Sequence, residues 1–225
     1  MNQFKTKAII LRRTPFGEAD RIMQLLTPDH GKVSAIAKGV RRGKSKLAGG
    51  LELFAVCDVT LLKGKSEILT MTSARIETFY GSIMRDYDRL QFGYECIKEV
   101  SRASETAPEP EFYELLRQSF DYLNDGAIAL PLIEIWFRLQ LSILLGQGLN
   151  VTTGEQNQRL SADKRYDFDV SDMLFVEREA GRFTADHIKL LRLLTTKNPR
   201  VVSHVGGIQS LLEECLWVSR VVSGA

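Results

Sequence analysis

The hydrophobic periodicity of this chain changes near residue 80, and that change restricts the folds open to it. Before residue 80, apolar and polar residues alternate, which is typical of half-buried β-strands. After it, apolar residues recur every three or four positions, as in amphipathic helices. Strands followed by helices predict an α+β multidomain protein with two consecutive domains, at 1–80 and 81–225, and not interleaved βαβ units.

The first 80 residues predict a small β-barrel. The clearest strand alternates Leu51, Leu53, Ala55, Cys57, Val59 and Leu61 on one face with polar residues on the other. Turn residues rich in Gly, Pro and Asp separate the segments. The five predicted strands are Lys5–Arg13, Arg21–Thr27, Lys32–Ala37, Leu51–Leu62 and Glu67–Ser73. Five short strands in about 75 residues favour a five-stranded barrel of the OB type, which closes its edges and binds oligonucleotides across one sheet face and two loops.

The remaining residues predict an all-helical C-terminal domain. Thr184 marks a helix start as an N-cap, and Gly146 and Gly148 mark a helix end. An irregular polar insertion at about 150–183 interrupts the helices, and Tyr166–Val176 within it is predicted to form either a short hairpin or an extended arm. The predicted helices are Asp88–Ser104, Glu109–Asn124, Ala127–Leu149, Ala185–Thr196 and Ile208–Ser219. The third contains Glu134 and Arg138 at i,i+4, which indicates a buried helix and not a membrane span.

The loop between the third and fourth strands is strongly basic. Lys38, Arg41, Arg42, Lys44 and Lys46 place five cations in nine residues, with two glycines and no acid. Such a loop suits a polyanion backbone, because its cations replace condensed counterions. A solvated surface loop and an anionic membrane surface are the alternatives. The charge distribution favours the polyanion: residues 1–80 hold 14 basic and 7 acidic residues, and residues 81–225 hold 16 and 21, although the whole chain is only +2.

The sequence offers no visible catalytic machinery. Two Gly-Lys-Ser triplets, at 43–45 and 64–66, lack the earlier glycine that a phosphate-binding P-loop requires. The three histidines lie in unrelated segments, and we interpret them as surface or capping residues. Cys57, Cys96 and Cys215 are too far apart for a disulfide framework or metal-ligand spacing. We therefore predict a non-enzymatic binding protein of the cytoplasm that uses no cofactor.

Aromatic side chains near the barrel ends are candidates for base stacking, which contributes about 1–3 kcal/mol per base. Phe16, beside Gly17 in a turn, is the better exposed candidate, and Phe54 is the second. The alternative for both is packing at the ends of the barrel. Trp136 and Phe137 are interpreted as helical core.

The motifs of the first 80 residues resemble the N-terminal domain of the RecO family of bacterial recombination-mediator proteins. The resemblance is carried by Ala8-Ile9-Ile10-Leu11-Arg12-Arg13, Gly17-Glu18-Ala19-Asp20, Leu26-Thr27, Gly31-Lys32, and Ala37-Lys38-Gly39-Val40-Arg41-Arg42 with Ser45. Further on, Phe137–Leu141 and Gly146-Gln147-Gly148 are similar to the family's central helix and its glycine-rich end.

The resemblance implies a nucleoid-associated protein that binds single- and double-stranded DNA and anneals complementary strands. It also implies that the protein acts together with RecR to load RecA onto DNA covered by single-strand-binding protein. The DNA-contacting positions carry over to Lys38, Arg41 and Arg42, with Lys44 and Lys46 adjacent. Other expected DNA contacts are Arg12, Arg13, Phe16, Lys63 and Lys65, and Arg102, Arg117 and Arg138 are weaker candidates for binding the tail of single-strand-binding protein.

One departure from the family concerns zinc. Many members carry four cysteines after the glycine-rich helix end, whereas residues 150–183 contain neither Cys nor His. The chain thus resembles the branch without zinc, and its insertion must be held by packing and hydrogen bonds. Two other functions stay open at this point: an RNA-binding OB protein of translation or ribosome assembly, and a structural adaptor that binds no nucleic acid.

Overall fold

A computed structural model describes residues 2–42, 45, 47–106, 110–155 and 158–224 of the chain. Lys44 and Lys46, which were predicted to bind DNA, lie outside the described residues. The chain divides into two compact units, Met1–Asn124 and Asp125–Ala225. The period change near residue 80 coincides with the end of the last barrel strand, at Phe79, whereas the first compact unit continues through two helices.

The first unit contains a closed barrel with strand order β1-β2-β3-β5-β4. All neighbouring strands are antiparallel except β3 and β5, which are parallel. The predicted five-stranded OB-type barrel is therefore confirmed. The strands are β1 (Asn2–Phe16), β2 (Asp20–Thr27), β3 (Gly31–Ala37), β4 (Ala55–Lys63) and β5 (Leu69–Phe79).

Strand β1 is longer than predicted because it has two partners. Its first half pairs with β4, from Asn2 opposite Lys63, and its second half pairs with β2, up to Phe16 opposite Asp20. A register shift between Ile10 and Arg12 bends the strand between these two pairings. One continuous strand thereby closes the barrel.

The alternation in β4 fills the barrel as predicted. Ala55, Cys57, Val59 and Leu61 are all at most 2% exposed and belong to the barrel core. The predicted start of this strand at Leu51 is wrong, since β4 begins four residues later. Phe54 has a left-handed backbone (φ 53°), which no extended strand can contain.

Two helices, α1 (Tyr87–Thr106) and α2 (Pro110–Asn124), complete the first unit. Phe54 is only 1% exposed, and its ring lies 5.1 Å from Tyr94 on α1 and 5.3 Å from Phe120 on α2, between ring centroids. Gly93 makes room for it, because a Cβ there would lie 2.7 Å from Phe54 Cε1. Of the two interpretations of Phe54, packing at the end of the barrel is therefore the correct one, and its ring is not available for base stacking.

The second unit is mostly helical. Its helix α3 is shorter than the predicted Ala127–Leu149, because Pro131 fits only a first turn and Gly146 (φ 74°) follows its C-cap. Trp136 and Phe137 are buried on it, as predicted. Thr184 caps α4 in a reciprocal pair with His187. The helices are α3 (Leu130–Leu144), α4 (Ala185–Thr196), α5 (Pro199–Val202) and α6 (Leu212–Ser223).

A buried ion cluster joins α3 to α6. Arg138 Nε donates to Glu134 Oε1 at 3.0 Å, one turn away on α3, and both residues are at most 7% exposed. Arg220 on α6 donates to both oxygens of the same carboxylate, at 2.8 and 3.1 Å. The Glu134–Arg138 pair read from the i,i+4 spacing is confirmed, and it also fixes α6.

The insertion contains the predicted hairpin, with strands β6 (Tyr166–Asp169) and β7 (Leu174–Glu177). Aromatic rings attach it to α6: the Phe168 and Trp217 ring centroids are 6.3 Å apart at 88°, and Phe183 stacks on Trp217 at 6.2 Å. Tyr166 and Phe183 also exchange two backbone hydrogen bonds, at 2.9 and 2.7 Å. Packing and hydrogen bonds hold this segment, as the missing cysteines required.

Candidate nucleic-acid interface

The basic segment begins as a tight turn directly after β3. The Gly39 amide donates to Asp20 Oδ1 at 2.7 Å, and the Arg41 amide donates to the Ala19 carbonyl at 3.0 Å. Gly39 has a φ of 64°, which favours glycine at this position. These bonds hold the start of the loop against the β1–β2 turn, so residues 38–42 form a fixed element. We refer to residues 38–42 as the cationic turn.

The cationic turn presents its charges to solvent. Lys38, Arg41 and Arg42 are all exposed. No carboxylate in the part of the chain that the structure describes lies within ion-pair distance of their side chains. Three such cations on a fixed backbone create a positive potential that attracts phosphates.

The cationic turn adjoins an outward face of the barrel built from β1, β2 and β3. Residues directly opposite each other on paired strands point to the same face. One row joins Arg12, Gln24 and Ser34 in this way. The next row joins Thr14, Ile22, Ile36 and Thr70. The face is thus partly apolar and partly polar, which suits bases as well as the sugar–phosphate backbone.

Phe16 and Arg13 differ in what they can contribute to nucleic-acid binding. Phe16 ends β1 opposite Asp20 and is 50% exposed, so its ring is available for stacking at the edge of this face. Arg13 instead donates to the Leu51 carbonyl at 3.3 Å and reaches Glu52 at 3.5 Å. Its guanidinium holds the segment before β4 in place, and Arg12 is the exposed cation of this dipeptide.

Lys63 and Lys65 lie at the other end of β1. Lys63 pairs with Asn2, whereas the cationic turn adjoins the β1–β2 turn at Phe16. The strand between Asn2 and Phe16 has a contour of roughly 45 Å at 3.3 Å per residue. Lys63 therefore lies at the opposite end of β1 from the cationic turn.

A cleft of about 590 Å³ lies beside Lys63. In it the rings of Phe4 and His30 are 4.3 Å apart between centroids and tilted by 54°. The sequence interpretation missed both residues, because Phe4 preceded the first predicted strand and His30 lay in a turn. The lining residues are Asn2, Phe4, His30, Lys32, Val33, Ser34, Lys63, Glu67, Ile68 and Leu69.

The three arginines considered for partner binding all have acidic neighbours. Arg102 pairs with Glu99 at 2.7 Å on the exposed surface of α1. Arg117 pairs with Glu114 and Asp121, both at 2.6 Å, and the hydrogen bond from Arg117 lowers the pKa of Glu114. Arg102 and Arg117 belong to the first compact unit and Arg138 to the second.

Arg138 is 6% exposed, so almost all of its surface is buried within the second unit. Arg102, with 70% of its side chain exposed, is the most accessible of the three arginines.

The three cysteine thiols are not placed to act as nucleophiles or as a group of metal ligands. Cys57, Cys96 and Cys215 are all buried, as expected for small apolar residues. Burial raises the pKa of Cys57 to about 11 and that of Cys215 to about 12, so both stay protonated and weakly nucleophilic near neutral pH. Within the described ranges, no three His, Cys, Asp or Glu residues are grouped to hold a metal ion.

None of the helices in the described ranges is both long and apolar enough to cross a bilayer.

Sequence comparisons identify relatives of this barrel. Residues 1–80 match the family model described as Recombination protein O N terminal. Two proteins of Dehalococcoides mccartyi, each named DNA repair protein RecO, are similar to the chain. The one from strain CBDB1 is 39% identical over 130 residues, 56% of this chain and 50% of that protein. The one from strain ATCC BAA-2266 is 36% identical over 145 residues, 64% of this chain and 57% of that protein. The matched region thus spans little more than half the length of these curated relatives.

Proposed function

We propose that the chain acts in DNA repair and recombination as a non-catalytic DNA-binding protein, because residues 1–80 match the model of the RecO N-terminal domain and its relatives are named DNA repair protein RecO. The relatives' name supports the process, and the barrel supports the mode of binding. The observation on which the proposal rests most is the cationic turn: three exposed cations fixed at the edge of a partly apolar sheet face.

The proposed mechanism is electrostatic. Lys38, Arg41 and Arg42 neutralise phosphates, and Phe16 and the outward face of β1–β3 contact the strand beside them. Phosphate contacts carry no base information, so the turn accepts single- and double-stranded DNA of any sequence. When two complementary strands are bound together, their mutual repulsion falls and pairing is favoured. Strand annealing is therefore the activity that we propose.

The proposed protein partners follow from family membership. RecO proteins are expected to work with RecR and with the acidic tail of single-strand-binding protein, and so to promote RecA loading. A tail of that kind needs guanidinium groups and an apolar slot for its terminal ring. Arg102 is the exposed candidate, whereas the buried Arg138 is committed to Glu134. Titrating a labelled tail peptide against the full chain and its Arg102→Ala variant measures this contribution directly.

The experiment that tests DNA binding compares the Arg41→Ala/Arg42→Ala double variant with Arg85→Ala, an exposed arginine of the same unit. Losing two phosphate contacts flattens the slope of log K against log[salt] for single-stranded DNA by about 1.4. The affinity falls by a similar factor for all sequences, and annealing of oligonucleotides coated with single-strand-binding protein slows. An unchanged salt slope removes the turn from the binding site.

The alternative of an RNA-binding protein is separated by the same assay. OB-type barrels bind RNA as well as DNA, and a preference for RNA requires contacts to the 2′-hydroxyl. If RNA and DNA strands of equal sequence compete equally, backbone charge and stacking explain the binding. A clear preference for RNA would favour a role in translation or ribosome assembly, and salt-insensitive or absent binding would favour an adaptor.

A further inference from the structure

We propose that the cleft lined by Phe4 and His30 binds one unstacked base of single-stranded DNA, and that it adds a preference for single strands to the non-selective cationic turn. This inference rests on the proposed DNA-binding function and adds a second subsite to it. The cleft lies beside Lys63 at the start of β1, whereas the cationic turn adjoins the far end of that strand.

The Phe4 ring and the backbone that carries His30 are held in position before any ligand arrives. Phe4 is half-buried and packs against the barrel core. His30 is exposed in the β2–β3 turn, and its amide donates to Thr27 Oγ1 at 3.1 Å. The rings meet at 54°, so they form a bent aromatic wall. Val33 and Ile68 add apolar surface, and Ile68 is 41% exposed. Because Phe4 is already packed and His30 already contacts it, this wall binds a base with less loss of side-chain entropy than two free rings would.

The size of the cleft suits one nucleoside. Its volume of about 590 Å³ lies within the range of small-molecule sites. A base in a duplex is stacked and paired, and taking it out costs a few kcal/mol. A base in a single strand enters without breaking a pair. The cleft therefore discriminates between single and double strands, which exposed cations alone cannot do.

The polar groups of the rim orient the nucleotide. Lys63 is exposed and can meet a phosphate. Lys32 cannot do so equally well, because its ammonium already donates to Ser101 and to Glu105, the latter at 2.7 Å. Glu67 repels a phosphate but accepts from an exocyclic amino group. This arrangement places the phosphate at Lys63 and the base toward Glu67, and it favours adenine, cytosine and guanine over thymine, which has no amino group.

The test uses the full chain with His30→Ala and Phe4→Leu, and with Phe79→Ala as the matched control. Phe79 is a 45% exposed phenylalanine at the other end of the sheet, opposite Ala55. Affinity is measured for a single strand, a duplex of equal length, and a single strand whose sugars carry no bases. Each cleft variant is expected to bind the single strand about five- to tenfold more weakly, as for the loss of one stacked base.

The same variants should bind the duplex and the base-free strand as wild type does, which also shows that they are folded. Phe79→Ala should change nothing. If the cleft variants bind all three ligands as wild type does, or lose affinity for all three equally, the cleft proposal is overturned while DNA binding by the barrel stands. If wild type itself binds neither strand form, the proposed function fails first.

Discussion

Asp20 accepts a hydrogen bond of 2.7 Å from the amide of Gly39, so a carboxylate fixes the most basic turn of the barrel. Two effects of this residue on DNA binding oppose each other. Its negative charge repels phosphates, whereas its hydrogen bond orders the turn that attracts them. Substitutions that separate charge from hydrogen bonding show which effect is larger.

Asp20→Ala is expected to weaken DNA binding roughly two- to tenfold, because the turn must then be ordered at the expense of binding energy. Asp20→Asn keeps an acceptor oxygen and removes the charge, so its affinity should equal or exceed that of wild type. Glu18→Gln, an exposed acid in the same β1–β2 turn, controls for charge alone. Fluorescence anisotropy with a labelled single strand at fixed salt measures all three. Tighter binding by Asp20→Ala would show that the charge dominates.

The buried carboxylate between α3 and α6 should be a major source of stability in the second unit. Glu134→Gln is expected to lower the free energy of unfolding by about 3 kcal/mol, because buried arginine charge loses its counterion. Arg220→Met, on the half-exposed side of the cluster, should cost less than about 1 kcal/mol. Urea unfolding followed by circular dichroism gives both values. Equal costs would mean that Glu134 acts mainly through Arg220.

The hairpin of the second unit should not depend on zinc. Its rings pack on Trp217 where many RecO proteins are expected to have four cysteines. Purified protein is therefore expected to contain less than stoichiometric zinc and to keep its helicity in chelator, since a structural zinc domain unfolds when the metal is removed. Elemental analysis and circular dichroism measure the two quantities. One zinc per chain, lost together with helicity, would contradict the expectation.

His187 should make stability depend on pH. Burial lowers its pKa below the ordinary value, Glu214 opposes this shift, and Arg165 adds to it. Protonation would also remove the Nδ1 acceptor that receives the Thr184 amide at 3.1 Å. Below pH 6.5 the unfolded chain binds more protons than the folded chain, so the contribution of His187 to stability is complete above pH 6.5 and is lost as the pH falls from there through the lower pKa of the folded state.

Thermal unfolding between pH 7.5 and 5.5 tests this dependence. The melting temperature of wild type should fall with pH more steeply than that of His187→Gln, which keeps a side chain suited to the capping box but cannot titrate. Parallel pH profiles for the two proteins would show that other groups control the acid sensitivity.

The sequence predicted the barrel well because its signal is local. Alternation from Ala55 to Leu61 requires a half-buried strand, and Thr184 requires a helix start. The start of β4 was missed, because the left-handed backbone of Phe54 depends on packing beside Gly93, about forty positions later in the chain. The cleft was missed for a similar reason: Phe4 and His30 meet only through the register of the closed sheet.

The same limit applies to the charged residues. Composition reveals how many cations the first 80 residues contain, but not which of them are already engaged in hydrogen bonds within the protein. Arg12 and Arg13 are adjacent, yet one is exposed and the other holds the Leu51 carbonyl. The strand bend between Ile10 and Arg12, a three-dimensional feature, decides between them.

The double pairing of β1 also has a consequence for biosynthesis. The second half of β1 can pair with β2, which follows within a few residues. The first half can pair only after β4 has been synthesised, some fifty residues later. Until then the segment from Asn2 to Ile9 presents an open edge on its β4 side, which is the type of surface that recruits other chains. Closing the barrel through such distant contacts is slow. A nascent chain paused before Lys63 should therefore be the form of this protein that most needs a chaperone.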